Sequence, residues 1–238
     1  MILKRKVIGI VLLLSIVFTI CFVTADDDRA AEMTSAPKKD IQIILDAGHG
    51  GFDGGAVATD GTVEKDINLK ICLSLYNMLR ESGYNVVLTR ENDTSTDDAE
   101  AYKTSTRKKS DLKNRLELMK KYPDAVFVSI HLNKFTTSAA RGSQVFYSDN
   151  VDGSKALADC VQSAIINMLQ PENRRVNKKA TSSTYLIYNA TVPAVLVECG
   201  FLSNNAELKL LKSKDYQSKM AFCIFCGITE YFSNIKEI

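Results

Sequence analysis

The sequence predicts an α/β fold, a single domain with a twisted, mostly parallel or mixed sheet of about six strands flanked by helices. Short runs rich in Val, Ile, Phe and Tyr alternate with longer segments in which apolar residues recur at helical spacing, the pattern of helices packed on a sheet. At 238 residues and 45% hydrophobic content, the chain suits one domain with a well-buried core. No segment repeats, and no second stretch is large enough to form a separate polymer-binding domain.

Six runs are strand candidates: Ile41 to Asp46, Tyr84 to Thr89, Ala125 to His131, Ser143 to Tyr147, Tyr185 to Tyr188 and Ala194 to Glu198. Between the first two, Ile67, Ile71, Leu75 and Leu79 trace a helix, and Gly83 is placed to end it. Leu112, Leu116 and Met119 trace a second, and further helical patterns run through about 153 to 170 and 205 to 232. Asn204 with Glu207 resembles a capping box opening the last helical region. Residues 91 to 106, ENDTSTDDAEAYKTST, carry no apolar period. A polar loop of that length in a compact domain is commonly functional, and a flap beside the site is expected there.

Residues 1–25 are expected to lie outside the domain. Lys4, Arg5 and Lys6 precede an apolar run from Val7 to Val23, and Val23 and Ala25 put small residues at the −3 and −1 positions of a cleavage site, the pattern of a secretory signal. A run of this length is also near the lower limit for a membrane span, so an uncleaved anchor is the competing reading. Either way the remainder sits outside the cytoplasm, and membrane contact is expected only through residues 1–25. Residues 26–40 read as a polar linker and 41–238 as the folded domain.

Without residues 1–25, 27 basic residues face 28 acidic ones, which gives no reason to expect a nucleic-acid partner. The densest basic cluster, Arg107, Lys108, Lys109, Lys113 and Arg115, reads as the solvated face of an amphipathic helix. Cys72, Cys160, Cys199, Cys223 and Cys226 make an odd count in largely apolar runs and read as buried thiols rather than a disulfide framework. The Cys223-x-x-Cys226 pair has no second pair or nearby histidine to complete a metal site.

The stretch LDAGHGGFDGGA, residues 45–56, holds five of the chain's twelve glycines and one of its two histidines. It lacks the Gly-Lys-Ser/Thr ending of a phosphate loop and the fingerprint of a dinucleotide site. Its glycines are expected to let the chain turn tightly at a strand end, clear space over His49 and bring Glu64 back toward it. His49 and His131 both follow strands at their carboxyl ends, the edge where open α/β sheets build their sites. Two imidazoles there suit zinc, which in catalytic sites takes three protein ligands and leaves one position for water. Glu64 is the leading third ligand. Glu198 closes a buried strand, a costly place for an acid unless it is paired or used, and beside a zinc site it can act as general base and acid. Two histidines, one ligand glutamate and one base glutamate are also the inventory of other zinc peptidases, so the set gives the reaction class better than the substrate. A glycosidase leaves both histidines unexplained.

Leu45-Asp-Ala-Gly-His-Gly-Gly, Glu64-Lys-Asp-Ile-Asn-Leu, Thr89-Arg90, Leu112-x-x-Arg115, Ser129-Ile-His-Leu-Asn133 and Val197-Glu-Cys-Gly-Phe-Leu-Ser-Asn204 together resemble the zinc-dependent N-acetylmuramoyl-L-alanine amidases. The similarity covers about residues 41 to 233 and is greatest to the germination-specific, spore-cortex branch. It implies one Zn2+ per chain bound by His49, Glu64 and His131, with Glu198 as catalytic acid/base. It also implies peptidoglycan as substrate, cleaved at the amide between the lactyl group of muramic acid and L-alanine, as a step toward muramic-δ-lactam. It makes residues 41–238 the catalytic domain and is compatible with an accessory protein; the alternatives are a zinc peptidase acting within wall stem peptides and a non-catalytic peptidoglycan-binding module. Asp46 or nearby carbonyls are expected to orient the histidine rings. Two departures, Ala47 where many relatives have Pro and a thiol at Cys199 beside the base, remove no ligand.

Overall fold

Strands β1 (Gln42–Ala47), β2 (Asn85–Leu88), β3 (Val126–Asn133), β4 (Gln144–Tyr147), β5 (Lys178–Lys179) and β6 (Ala194–Phe201) form one sheet in the order β2-β1-β3-β6-β4-β5. The structure is a computed structural model that describes residues 42–98, 100 and 104–236, all within one compact unit, Lys39–Ile238. The expected signal or anchor at 1–25 and linker at 26–40 lie outside the described residues. All strand pairs are parallel except β4 with β6, so the sheet is mixed. β1, β3 and β6 are buried on both faces, which is why they read as near-continuous apolar runs. The outer strand β5 is two exposed lysines, a composition that discourages edge-to-edge pairing.

Side chains alternate across the sheet and build a core on each face. On one face Leu45, Val128 and Val197 pack with Ile71 and Leu75 of α1 (Glu64–Glu81), Leu157 and Val161 of α3 (Ser154–Met168) and Ile224 and Ile228 of α6 (Lys214–Lys236). On the other, Ile44, Phe127 and Leu196 meet Met119 of α2 (Thr104–Lys121) and Ile187 of α4 (Tyr185–Tyr188). A short α5 (Asn205–Leu211) follows β6. No helix among the described residues is long and apolar enough to cross a membrane.

Several elements depart from expectation. Tyr185–Tyr188 is one helical turn, not a strand: Leu186 and Ile187 are buried, whereas Tyr185 and Tyr188 are exposed. An apolar run this short has no period that separates the two states. The last helical region breaks between α5 and α6 at Lys212 and Ser213, where Ser213 N–H donates to the Leu210 carbonyl. Helix α2 begins at Thr104, inside the expected loop. Gly83, at φ 85°, follows the α1 C-cap as its position suggested. Only half of the capping box forms. Asn204 Oδ1 accepts from the backbone N–H of Ala206 and Glu207, but the Glu207 carboxylate turns to the N–H groups of Gly142 and Phe201.

Register aligns the strand ends. Ala47 pairs with Ile130, and Glu198 pairs with His131 on one side and Gln144 on the other. The residues just beyond β1 and the carboxyl-terminal parts of β3 and β6 thus share one edge of the sheet; both strands run past their expected ends, to Asn133 and Phe201, because pairing continues there, so His131 and Glu198 lie within the strands rather than closing them.

Candidate active site

His49 stands at φ 63° in the turn after β1, the left-handed region that non-glycine residues seldom adopt. Two buried arginines hold that turn. Arg115 donates from Nη1 to the Ala47 carbonyl at 3.1 Å and from Nη2 to the His49 carbonyl at 2.8 Å. Arg90 donates from Nε to the Ala47 carbonyl at 2.8 Å and from Nη2 to the Gly48 carbonyl at 3.1 Å. Arg115 also pairs with Asp46 and Asp111. Burial opposes ionisation of Asp46, but the Arg115 charge and the hydroxyls of Ser129 and Thr89 outweigh it and hold its pKa below the usual range.

Glu64 opens α1 and is 3% exposed. Its Oε2 accepts from Ala56 N–H at 2.8 Å and its Oε1 from Leu132 N–H at 3.0 Å. Asn68, one turn later, reaches the same Oε1 at 3.3 Å. That oxygen lies 3.3 Å from His49 Nε2 and 3.0 Å from His131 Nδ1. The ligand atoms of His49, Glu64 and His131 all fall within 4.8 Å of one another, a group that could hold a metal ion. Two glycines make the convergence sterically feasible. A Cβ on Gly48 would sit 2.2 Å from His131 Nε2, and one on Gly55 would sit 2.6 Å from both Glu64 Oε2 and His49 Cδ2. Gly48 therefore makes room for His131 rather than for His49, the ring the sequence suggested.

Asp46 contacts no histidine ring through a hydrogen bond among the described residues; it serves Thr89, Arg115 and Ser129. The residue that orients a ring is Asp53, whose Oδ2 lies 2.9 Å from His49 Nδ1 and 3.2 Å from Lys108 Nζ. Asp53 was missed because nothing local distinguishes it from an ordinary loop acid. Its one signal was its place inside the glycine run, four residues after His49. Burial lowers the His49 pKa, but the hydrogen bonds and charges of Asp53 and Glu64 prevail and raise it to about 9.

Glu198 completes the set. The residue is partly exposed, but its Oε2 is buried and has no hydrogen-bond partner among the described residues. Burial, with Glu64 adding repulsion against the pull of His131, pushes its pKa up to about 7. A carboxyl poised there can both take and return a proton near neutral pH.

The basic cluster on α2 is more than a solvated face. Arg115 is 1% exposed, because the inward-facing Asp111 and Asp46 neutralise it. Arg107 pairs with Asp97 and stacks 4.0 Å over the Phe52 ring. The described part of the polar loop is tied down. Asp93 accepts from Gly51 N–H and Lys65, Thr96 from its N–H donates to Asp111, and Asp98 meets Ser110. The five cysteines are free thiols, but only Cys72, Cys199 and Cys223 are buried as expected; Cys160 and Cys226, toward the exposed faces of α3 and α6, are half-buried.

Two histidines and two glutamates gathered on the carboxyl edge of a doubly covered α/β sheet define a hydrolase centre able to carry a metal. The chain belongs to the N-acetylmuramoyl-L-alanine amidase family, which matches residues 43–230, and is an enzyme of cell-wall amide hydrolysis. It is 36% identical over 199 residues to the germination-specific N-acetylmuramoyl-L-alanine amidase of Bacillus subtilis (strain 168), covering 84% of this chain and 83% of that protein. The structure is similar to that of the CwlD amidase from Clostridioides difficile in complex with the GerS lipoprotein, with TM-score 0.78 and 44% identity over 82% of this chain and 99% of that one. It is also similar to the amidase AmiC2 of Nostoc punctiforme, with TM-score 0.70 and 29% identity over 82% of this chain and 99% of that one.

Proposed function

We propose that the protein cleaves the amide between the lactyl group of N-acetylmuramic acid and L-alanine in spore-cortex peptidoglycan, as a step toward muramic-δ-lactam. One Zn2+ per chain is held by His49, Glu64 and His131, and Glu198 is the acid/base. The observation that carries this reading is the unpartnered, buried Glu198 oxygen on the strand next to His131. The donor set fits zinc: two imidazoles and a carboxylate, the combination of several catalytic zinc sites, with their donor atoms already converged. When bound, zinc supplies Lewis acidity that makes water nucleophilic near neutral pH and polarises a carbonyl.

The chain's own residues do the rest. Asp53 holds the His49 ring by Nδ1, which leaves Nε2 facing Glu64. The N–H groups of Ala56 and Leu132 fix the two Glu64 oxygens. Glu198, ionised, takes the proton of the attacking water and then passes it to the departing alanine nitrogen, so one carboxyl serves both half-steps. Burial keeps that carboxyl from being wholly ionised at neutral pH and suits it to the second step.

The reading places the protein outside the cytoplasm, as a secreted or membrane-anchored enzyme, with peptidoglycan as its partner. The lipoprotein complex of the Clostridioides difficile relative supports an accessory protein for this chain as well. Mass spectrometry of cortex peptidoglycan after incubation with and without zinc tests the reaction. Zinc-dependent release of peptides with a free L-alanine amino group is expected; cuts within the stem peptide would make it a peptidase instead.

A further inference from the structure

Strand β6 changes register at the residue that follows Glu198. Ala194 to Glu198 pair one for one with Phe127 to His131 of β3, but the next pair is Phe201 with Asn133, so Cys199 and Gly200 together stand against Leu132 alone. This is a β-bulge, rare between parallel strands and over-represented beside active sites, where it re-aims a side chain. Without it Gly200 would meet Asn133, and Phe201 would turn to the opposite face of the sheet. Gly200 takes φ 155°, an angle that L side chains rarely adopt. On the other side of β6, the pairing with β4 runs from Val195 to Glu198, whose partner there is Gln144. Glu198 is therefore the last residue of β6 in continuous register with both neighbouring strands.

Side chains take the backbone groups that the ladder leaves free past this point. Ser143 Oγ, just ahead of β4, donates to the Cys199 carbonyl at 2.8 Å. Glu207 of α5 accepts from Phe201 N–H through Oε2 at 2.8 Å and from Gly142 N–H through Oε1 at 2.7 Å. One carboxylate thus ties the end of the bulge to the segment entering β4, through bonds that its charge makes stronger than neutral ones. A glutamate at this place in a helix ordinarily reaches back to the N-cap N–H. In this chain that N–H, of Asn204, donates to the Phe201 carbonyl at 3.2 Å, which frees the carboxylate for the bulge. Glu198 has no comparable hold of its own. Its buried Oε2 has no hydrogen-bond partner among the described residues, so the backbone beneath it and the packing around it set the direction of its carboxyl.

We propose that Glu207 is a positioning residue for Glu198: its hold on the Gly142 and Phe201 N–H groups fixes the bulge, and the bulge fixes the direction of the Glu198 carboxyl. The proposal rests on the acid/base reading of Glu198, and a double-mutant cycle on the zinc-loaded protein separates the two. Glu207→Gln keeps the shape but turns an amide NH2 toward one of the two N–H groups. Alone it is expected to lower kcat/KM by about tenfold or more, the scale of a small misplacement of a reacting group, with zinc affinity unchanged. Added to Glu198→Gln it is expected to cost less than about twofold, because residues that act as a unit are not additive. Hydrogen exchange at the Gly142 and Phe201 amides should quicken in Glu207→Gln. Ser143→Ala loosens the bulge at Cys199 instead; it should show the same dependence on Glu198 and carries the test if Glu207→Gln does not fold. Equal losses with and without Glu198, weakened zinc binding, unchanged kcat/KM or unchanged exchange overturns the positioning role. Near-normal turnover of Glu198→Gln alone is a different failure: it removes the acid/base reading, and Glu207 then has no reacting group to aim.

Discussion

Arg115 donates a 2.8 Å hydrogen bond to the carbonyl of His49 while its other nitrogens are held by Asp46 and Asp111. A side chain 66 positions away in sequence thereby fixes the backbone of the histidine turn. The same guanidinium is needed for the core, since it is the counter-charge of a buried Asp46.

Replacing Arg115 by Met should therefore act on both stability and metal. Breaking a buried ion pair from one side costs about 3–5 kcal/mol, and denaturant unfolding should show a loss of that size. The freed His49 turn should also bind zinc at least about tenfold more weakly in competition with a chelator. A loss below about 1 kcal/mol with unchanged affinity would contradict the clamp.

Glu198→Gln keeps shape and removes the proton acceptor. Turnover is expected to fall by about 10²–10⁴, the usual contribution of acid-base catalysis, with one zinc still bound by atomic absorption. Near-normal turnover would remove Glu198 from the mechanism.

The pH profile follows from the same residue. Burial raises the Glu198 pKa to about 7, and its base role needs the ionised form, so kcat/KM should rise with pH up to a limb at or below 7. Bound zinc, a nearby positive charge, shifts that limb downward. For stability the sign is opposite: a raised carboxyl pKa favours the fold below about 4.5 and loses that advantage as pH rises through 7. In the zinc-free protein, Glu198→Gln should gain stability over the wild type between pH 5 and 8; parallel curves across that window would disprove it.

Gly55→Ala tests the steric requirement. The added methyl would fall 2.6 Å from Glu64 Oε2 and His49 Cδ2 at a backbone φ of 70°. Weakened zinc binding is expected, together with destabilisation of about 1–3 kcal/mol, the scale of local backbone strain. Full zinc affinity in the purified variant would show that the loop yields.

His49→Ala removes one of three converged donors, and zinc content should fall well below one per chain. Zinc binding stabilises only the folded state, so chelation should lower the wild-type melting temperature but barely move that of the variant. A variant that retains stoichiometric zinc takes His49 off the ligand set.

Local pattern alone identified the α/β class, five of the six strand candidates, the main helices and the edge on which the site lies. Near-continuous apolar runs record strands buried on both faces and helical spacing records one buried face, so β1, β3, β6 and α1 were legible. The four-residue run at Tyr185 was too short to carry a period and became a helical turn. Asp53, Arg90 and the inward turn of Arg115 were not legible as parts of the site, because their roles depend on partners far along the chain.

The sequence by itself determined the inventory: His49 just past a strand, His131 and Glu198 on two others, Glu64 at a helix start, glycines around His49, and apolar runs long enough to bury a sheet on both faces. Only the tertiary structure decided which glycine yields to which ring, that Asp53 rather than Asp46 orients His49, and that two buried arginines hold a left-handed histidine. Secondary structure is encoded by neighbours a few residues apart. The convergence of three donor atoms within 4.8 Å depends on strand register and long-range hydrogen bonds, which exist only once the sheet has assembled.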